Sequence, residues 1–391
     1  MKPMIYHFKD HLISPQKLDI KSIYVIAKLK QHGYTAYLVG GSVRDLLLKQ
    51  IPKDFDVSTS AKPEEIKKIF KNCFLIGKRF RLAHIKFGKK IIEVSTFRAG
   101  EITSALIEEN NIWGTAQEDA FRRDFTINAL FYDPENQTII DYVGGIEDSK
   151  EKILKTIGDP KIRFTQDPVR MIRLLKFKAR FDFTIEKKTL LALKKCKKDI
   201  KKSSQARILE ELLRMLESGS SETFFKLLQE HGLLFYLLPK INLFLKESKK
   251  IYELLKQADI YTCKHGSLSL DRSILLSCLV FPILEKKISD KDLNLFHISQ
   301  EAKKTINNIF SPFFHLSRKI KINMISILTT QFRFTTTFKK KIKIPKDPSF
   351  ILALQFFKLR AMHQKTFFKK YNIWHERFIS SHKNKKFLSK T

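Results

Sequence analysis

The chain has 391 residues and carries 74 lysines and arginines against 40 acidic residues, a formal net charge of +34. With 43% hydrophobic and 12% aromatic residues it can build real cores, which excludes a disordered basic tail. A positive surplus of this size repels itself unless a polyanion or an anionic surface neutralises it, so the composition favours a nucleic-acid partner first and a membrane surface second.

Other protein classes fit the sequence poorly. The N-terminal segment lacks an apolar core of the signal-peptide type, and the longest apolar stretch, residues 274–284, is too short to cross a bilayer, so we expect no membrane insertion. The four cysteines lie far apart, which argues against a disulfide framework or a zinc site and is typical of a reducing cytoplasm.

The first part of the chain, up to about residue 145, combines strand-like runs with short helices. Helices are predicted over 43–49 and over 63–71, where Pro63 and two glutamates occupy the first turn. We therefore expect an α+β domain on one mixed or antiparallel sheet. β-Branched and aromatic residues between turn signals predict strands over 35–41, 54–59, 83–88, 90–97, 128–133 and 138–143.

The strand signal fades after Gly144-Gly145, and the remaining chain has the apolar spacing of helices. We expect a head (1–147), a helical neck (148–245) and an all-helical body (246–391). The predicted helices cover residues 165–181, 186–200, 205–217, 221–231, 246–258, 272–286, 299–309 and 348–380.

The last quarter of the chain is its most basic part. Residues 301–391 contain 21 lysines and arginines but three acidic residues, and aromatic residues are interleaved with them, as in the run 367–371. Bases stack on aromatic rings while lysines bind phosphates, so this pattern suits single-stranded RNA. A helical body with solvated lysines and a phenylalanine core explains the local pattern equally well, and the total charge favours RNA.

The strongest local signal is the segment 37–59, YLVGGSVRDLLLKQIPKDFDVST. A predicted strand ends before Gly40 and Gly41, and Ser42 can cap the helix that follows. Glycines let the backbone approach a phosphate closely, and a helix N-terminus offers it free N–H groups. This turn is therefore a candidate phosphate site.

Two acids follow the turn. Asp54 and Asp56 are two residues apart in a predicted strand, so both carboxylates lie on one face and can share hard cations, while Phe55 and Val57 point into the core. Two carboxylates next to a phosphate cradle are what two-metal nucleotidyl transfer requires. Neither feature is specific by itself, but together they favour a nucleotidyltransferase.

These residues resemble the signature of the polymerase β-type nucleotidyltransferases, in the class II branch that contains tRNA CCA-adding enzymes and bacterial poly(A) polymerases. Further stretches resemble the branch's second nucleotide-site motif and its continuation, its nucleobase-reading motif and its neck motif, in that order. They are RRDFTINALFYD (122–133), DYVGGIEDSK (141–150), GDPKIRFTQDPVRMIRLLKFKARF (158–181) and QARILEELLRML (205–216).

Within this branch, FLIGKRFRLAHIKFG (74–88) is similar to the stretch that marks bacterial poly(A) polymerases. The resemblance implies template-independent addition of AMP from ATP to RNA 3′ ends in the cytoplasm, with two Mg²⁺ ions for which Mn²⁺ can substitute. The RNA would be single-stranded and of little sequence preference. Two alternatives stay open: a CCA-adding tRNA nucleotidyltransferase and a catalytically degenerate RNA-binding protein.

The resemblance also implies roles for particular residues. Asp54 and Asp56 match the metal-binding pair, and the third acid is either Glu93 as a metal ligand or Asp124 as a catalytic residue. Glu93 is explained equally well as a solvent-facing residue of an alternating strand. For Asp124 the alternative is stronger: with Arg122 and Arg123 it would bind the sugar or phosphates of the nucleotide without contacting metal. The nucleotide-binding residues would be Gly40, Gly41, Arg44, Arg122, Arg123, Asn128, Asp167, Arg170 and Arg173.

Asp167 and Arg170 match the residues that read the base. A spacing of three places them on one helical face, where a carboxylate and a guanidinium can mimic a pairing base towards adenine. Arg173, one turn further, would support the pair. Asn128 would bond the ribose, although a buried structural role explains it as well.

Two departures from the family pattern bear on activity. Gln166 stands where relatives usually have glutamate, which leaves the orientation of Arg170 open. The stretch from Arg98 to Trp113 is short where polymerase relatives carry a longer loop, so access of primer or nucleotide is altered.

Overall fold

The structure, a computed structural model, describes residues 2–77, 82–99, 112–266, 269–289, 293–335, 344–345 and 347–388, with side chains up to residue 381. The chain divides into two compact units. The first consists of Met1–Arg170 and Asp182–Cys196, and the second of Met171–Phe181 and Lys197–Thr391. The expected division into three parts stays a prediction.

The first unit is built on an eight-stranded mixed sheet. Its strands lie in the order β1-β8-β7-β2-β3-β6-β5-β4; β3 and β6 run parallel, and the other neighbouring pairs are antiparallel. All six predicted strands are confirmed, with ends shifted by one or two residues. The strands are β1 (Met4–Tyr6), β2 (Ala36–Val39), β3 (Asp56–Thr59), β4 (Cys73–Ile76), β5 (Leu82–Phe87), β6 (Lys90–Thr96), β7 (Leu130–Asp133) and β8 (Thr138–Asp141).

The two strands of this sheet that the sequence pattern missed, β1 and β4, form its edges. An edge strand has one neighbour and can be short, and β4 reads as the unbroken apolar run CFLI, which periodicity cannot distinguish from the end of a helix. The expected α+β class with a mixed sheet is confirmed.

Short helices accompany the sheet. The longest, α2, begins where the Asp19 carboxylate accepts a hydrogen bond from the backbone N–H of Ser22, and it buries Val25, Ile26 and Leu29. The helices of this unit are α1 (Phe8–His11), α2 (Ile20–Gln31), α3 (Gly41–Leu47), α4 (Pro63–Ile69), α5 (Ala116–Arg122), α6 (Gly145–Lys150), α7 (Pro160–Gln166) and α9 (Lys187–Cys196), and a parallel pair, β9 (Ile153–Leu154) and β10 (Thr184–Ile185), completes it.

Each face of the sheet has its own apolar cluster. On one face the buried side chains of α2 and α4 pack against residues such as Val57, Ile85 and Val94. On the other face a smaller cluster forms around Val39 and Phe131. This second cluster covers only part of its face, and the candidate site lies on the rest.

The second unit is all-helical, as expected. Its helices are α8 (Val169–Phe181, whose first two residues belong to the first unit), α10 (Gln205–Leu216), α11 (Ser221–Glu230), α12 (Leu233–Leu237), α13 (Pro239–Glu247), α14 (Lys250–His265), α15 (Arg272–Ile288), α16 (Leu295–Phe310), α17 (Arg318–Thr335), α18 (Ser349–His363) and α19 (Phe368–Leu388). Within the described ranges, no helix has both the length and the hydropathy that a membrane span needs.

Two predicted helices are wrong in extent. The helix expected over 165–181 is interrupted between α7 and α8, because Pro168 offers no N–H and disfavours helical backbone in the residue before it, Asp167. The helix expected over 348–380 is also two helices, since the backbone of Gln364 leaves the helical region with φ −110° and ψ 95°. Neither glycine nor proline marks that second break.

Candidate active site

The Gly40-Gly41 turn connects β2 to α3. Gly40 has φ 65°, a conformation that side chains strongly disfavour, and a Cβ atom placed there would lie 3.0 Å from Nη1 of Arg123. Gly40 itself is the N-cap residue, so the predicted cap by Ser42 is wrong: Ser42 lies inside the helix and its hydroxyl donates to the carbonyl of Val39 at 3.1 Å.

The acid pair lies beside this turn. Asp56 is the first residue of β3 and pairs with Val39, the residue before Gly40. Asp54 precedes the strand and is exposed, whereas Phe55 and Val57 are buried in the core. The predicted alternation is thus confirmed for the apolar residues, and the two acids alternate with them on the side away from that core.

Glu93 lies on the next strand of the same face. Val94 pairs with Val57 across the parallel β3–β6 pair, so the residues before them, Glu93 and Asp56, are neighbours. The Glu93 side chain is 51% exposed, and its Oε1 lies 3.5 Å from Nε2 of His84. Its predicted role as third metal ligand stays a prediction.

The donor chemistry of this face suits a hard divalent cation, because Asp54 and Asp56 offer carboxylate oxygens that are at least partly open to solvent. Over the parts of the chain that are described, however, no cluster of three or more histidine, cysteine or acidic side chains is arranged to hold a metal. A third acid would have to turn towards the pair to complete such a cluster.

An arginine cluster lies next to the acids. Arg123 donates to Asp119 Oδ2 from Nη2 at 2.9 Å, and Arg122 donates to the carbonyl of Ala99 at 2.9 Å. Burial lowers the pKa of Arg122, and burial together with the charge of Arg122 lowers the pKa of Arg98. Arg98, Arg122 and Arg123 thus share one acidic neighbour, Asp119. The site is partly desolvated and carries a net positive charge, which favours the binding of a polyphosphate.

Arg98 was not predicted as a binding residue. Its sequence signal is limited to a basic residue two positions after the end of β6, and its proximity to Arg122 and Arg123 arises only from the fold.

Arg44 and Asn128 belong to a buried network and not to an open binding surface. Arg44 donates from Nε and Nη2 to Asp45 Oδ1 at 2.9 and 2.6 Å and from Nη1 to Asn128 Oδ1 at 2.6 Å. The Nδ2 of Asn128 donates to Asp124 Oδ1 at 3.0 Å. Both ends of the Asn128 amide are engaged, so the structure favours the buried structural role that the sequence had left open.

Asp124 lies in the same network. It is 6% exposed, and its Oδ1 also accepts the backbone N–H of Phe125 at 2.9 Å. These contacts describe a positioning residue that holds Asn128, whereas the exposed acids are Asp54 and Glu93. The catalytic role that the resemblance implied for Asp124 stays a prediction.

A buried arginine that the sequence did not indicate fixes the end of α5. Arg163 of α7 donates from Nη2 to the carbonyls of Phe121, Arg122 and Arg123 at 3.1, 2.8 and 2.8 Å. Arg170 adds a bond from Nη2 to the carbonyl of Arg122 at 3.0 Å. Cations favour the carbonyl end of a helix, so both arginines orient the segment that carries the arginine cluster.

The residues predicted to read the base lie close together, but not on one helical face. Asp167 sits at the break before Pro168 and Arg170 sits in α8; their Oδ2 and Nε atoms are 3.9 Å apart. Arg173 belongs to the second unit, where its Nε lies 4.0 Å from Glu211. The shared helical face was therefore wrong, while the proximity of Asp167 and Arg170 is confirmed.

Two sequence signals fall partly outside the described residues. Positions 78–81 lie within the segment 74–88 that favoured a poly(A) polymerase, and positions 100–111 make up most of the short stretch from Arg98 to Trp113. Gln166, the unusual residue beside Asp167, is the last residue of α7 and is half-buried.

Sequence models of two domain families match this chain. Residues 36–155 match the "Poly A polymerase head domain", and residues 182–245 match the "Probable RNA and SrmB- binding site of polymerase A". The first range contains the turn, the acid pair and the arginine cluster described above.

Individual relatives agree with these two family matches. The chain is 41% identical to poly(A) polymerase I of Haemophilus influenzae, over 61% of this chain and 55% of the relative. It is 37% identical to poly(A) polymerase I of Escherichia coli O6:H1, over 74% of this chain and 66% of the relative. The CCA-adding enzyme of Lactobacillus helveticus is 40% identical over 50% of this chain and 49% of that enzyme. The chain thus spans about half to two thirds of the length of these relatives.

Among solved structures, the Bacillus stearothermophilus CCA-adding enzyme in complex with CTP is similar with a TM-score of 0.65 and 26% identity, over 92% of this chain and 81% of that one. A tRNA nucleotidyltransferase complexed with a primer tRNA and an ATP analogue shares the fold with a TM-score of 0.59 and 24% identity, over 92% and 99%. The chain belongs to the nucleotidyltransferase family that contains the bacterial poly(A) polymerases and the CCA-adding enzymes.

Proposed function

We propose that the protein is a template-independent polynucleotide adenylyltransferase that transfers AMP from ATP to RNA 3′ ends. The observation that carries the proposal is the juxtaposition of the acids and the arginine cluster on one sheet face. The Nη2 of Arg123 lies 3.4 Å from Oγ of Ser58, which is two residues after Asp56 on β3 and therefore on its face.

The reaction follows from this arrangement. The 3′-hydroxyl oxygen of the RNA attacks the α-phosphorus of ATP, a new P–O bond forms, and the bond to the β-phosphate breaks as the hydroxyl proton leaves and pyrophosphate departs. Arg122, Arg123 and Arg98 bind the triphosphate and stabilise the charge that moves onto pyrophosphate. The Gly40-Gly41 turn lets the backbone approach the same phosphates.

The family's chemistry implies a divalent metal, and Mg²⁺ is the proposed ion, with two ions per site and Mn²⁺ as a substitute. When bound, such ions lower the pKa of the attacking hydroxyl and neutralise the leaving group. Asp54 and Asp56 would hold them, with Glu93 as the third ligand.

Selection of adenine is assigned to Asp167 and Arg170. The carboxylate of Asp167 can accept from the exocyclic amino group, while the guanidinium of Arg170 donates to a ring nitrogen. Because Arg170 also donates to the carbonyl of Arg122, the residue that reads the base is tied to the segment that binds the triphosphate.

RNA binding is assigned mainly to the basic second unit. Lysines that neutralise phosphates release counterions, so we expect RNA affinity to fall steeply as salt concentration rises. Lysine charge spread along helices binds a strand without reading its sequence, which suits an enzyme that extends many different 3′ ends.

The nucleotide-choice experiment separates this function from CCA addition, which the similarity to CCA-adding enzymes keeps as the second candidate. Purified protein receives a generic RNA or a tRNA lacking CCA, with ATP alone or with CTP and ATP. Long adenosine tracts on generic RNA support polyadenylation, and a strict stop after CCA on tRNA overturns it. RNA binding without incorporation, in Mg²⁺ or Mn²⁺, indicates the degenerate RNA-binding protein.

Asp54→Asn tests the metal assignment. The substitution keeps the size of an exposed side chain and removes its charge, so we expect AMP incorporation to be lost while RNA binding stays. Glu151→Gln, at another exposed acid of the first unit, serves as the matched control and should retain activity. Retained incorporation in Asp54→Asn would refute the assignment.

A further inference from the structure

A row of side chains extends from the acid pair to the edge of the sheet. Glu93 neighbours Asp56 across β3–β6, His84 pairs with Glu93 across β5–β6, and Phe74 pairs with His84 across β4–β5. Directly paired residues point to the same side of a sheet, so the row lies on the face of the acid pair. With strands about 4.8 Å apart, Phe74 lies about 14 Å from Asp56 along this row.

The far end of this face is apolar although it is exposed. Phe74 is 59% exposed, Ile76 49% and Ile91 50%. Their alternation partners are buried: Cys73 precedes Phe74 and faces the core on the opposite side, as does Ile92 beside Ile91. Phe74 and Ile76 are two residues apart on one face of β4, and such an exposed apolar pair marks a binding surface more often than an isolated residue does.

A lysine completes the surface. Lys86 lies two residues after His84 on β5, so it points to the same face, and it is exposed. An aromatic ring beside a cation is the combination that binds single-stranded nucleic acid, because bases stack on the ring while the cation binds phosphate. A protein segment would not explain why the surface continues directly into the acid pair.

We propose that Phe74 stacks on a base of the RNA strand a few nucleotides upstream of its 3′ end, and that Lys86 binds a neighbouring phosphate. The inference rests on the proposed function, which places the 3′-hydroxyl at Asp54 and Asp56. The surface then holds the primer in line with the acid pair, independently of the basic second unit. It acts on RNA and not on ATP.

The test measures steady-state AMP incorporation from ATP into oligoadenylate primers of two to eight nucleotides. For Phe74→Ala we expect the KM for long primers to rise about five- to thirtyfold, while the KM for ATP and the rate with the dinucleotide stay within about twofold. Phe74→Tyr, which keeps a stacking ring, should restore the wild-type KM. Lys86→Gln should raise the KM for long primers less and weaken its salt dependence.

Phe8→Ala is the matched control. Phe8 is 45% exposed and follows β1, at the opposite edge of the same sheet, so its removal should not change the KM for any primer. An unchanged KM in Phe74→Ala, or failure of Phe74→Tyr to restore it, overturns the proposal. A wild-type protein that adds no AMP to RNA contradicts the proposed function itself, so the two failures are distinguishable.

Discussion

The sheet face that bears the candidate site has two halves, which differ in how far their polar side chains are exposed to solvent. In the exposed half, around β3 and β6, Asp54 and Glu93 are solvent-accessible, and Glu93 makes a loose contact of 3.5 Å with His84. In the covered half, where Ala120 of α5 packs with Val39 and Phe131, Arg44 and Asn128 are buried and make hydrogen bonds of 2.6 to 3.0 Å.

This difference separates the residues that bind substrate from those that stabilise the fold. Exposed acids are free to exchange solvent for metal and substrate, and they contribute little to stability. Buried charges must stay paired, because a partner left alone in the interior is costly. Substitutions in the exposed half should therefore change activity alone, and those in the covered half should change stability and activity together.

Glu93→Gln tests the exposed half and, after Asp54→Asn, has the largest expected effect on turnover. Losing one charge at the reacting phosphate should lower kcat by about 10²- to 10³-fold, while the free energy of unfolding changes by less than about 0.5 kcal/mol. AMP incorporation and urea unfolding measure both. If kcat is unchanged, Glu93 is only a solvent-facing residue of the strand, and the third acid must be sought elsewhere.

Arg163→Gln tests the covered half. The carbonyls of Phe121, Arg122 and Arg123 lose a shared cationic donor, so we expect about 3 kcal/mol of lost stability. Because the displaced segment carries the triphosphate-binding arginines, the KM for ATP should rise about tenfold or more. Arg163→Lys keeps the charge but loses the several N–H donors of the guanidinium, so its stability and its KM for ATP should lie between those of the wild type and of Arg163→Gln. A variant with lower stability but a normal KM for ATP would show that Arg163 is purely structural.

Asp124→Asn distinguishes the two roles considered for this residue. As a positioning residue, Asp124 should lose about 1 to 3 kcal/mol of stability on substitution, with a fall in kcat of about tenfold. As a metal ligand it would instead lose nearly all activity and change the Mg²⁺ concentration needed for half-maximal rate. Titration with Mg²⁺, with Glu93→Gln measured in parallel, separates these outcomes.

His11 should make the folding stability depend on pH, and this is the smallest of the expected effects. Its Nδ1 accepts the backbone N–H of Ile13 and its Nε2 bonds the carbonyl of Gln137, both at 3.0 Å, so the neutral ring satisfies both contacts. Burial lowers the pKa of His11 in the folded protein. The unfolded chain therefore binds more protons, and stability that is full above about pH 6.5 is lost as pH falls below it.

We expect the unfolding midpoint of the wild type to fall a few degrees further between pH 7.5 and 5 than that of His11→Gln. Calorimetry at the two pH values measures the difference. An identical pH response in both proteins would contradict the assignment. Since His11 lies outside the site, the activity of the two proteins at pH 7.5 should agree.

The sequence was informative where one physical rule dominated. β-Branched and aromatic runs between turn signals predicted six strands, and alternation predicted the burial of Phe55 and Val57, because a half-buried strand must place its apolar residues on one side. The positive φ of Gly40 follows equally from a tight strand-to-helix turn. The pairing of Asp167 with Arg170 was correct for a different reason than expected, since a proline break and not a helical face brings them together.

What the sequence could not show are contacts between distant segments. Arg163 looks like any helical arginine, and its three carbonyl partners lie about 40 residues earlier in the chain. The proximity of Arg98 to the Arg122-Arg123 pair and the position of Phe74 on the sheet face of the acids likewise depend on strand order. Local periodicity carries no information on which strands become neighbours.

The pairing of β1 with β8 has a consequence for the order of events during synthesis. Residues 4–6 pair with residues 139–141, so during synthesis β1 leaves the ribosome long before β8, the strand with which it pairs. At about 5 to 20 residues per second this delay is roughly 7 to 27 s. During that interval Met4 and Ile5, which remain exposed even in the finished sheet, have no β-strand partner. Until β8 is synthesised, the segment around Met4 and Ile5 is thus open to chaperones and proteases.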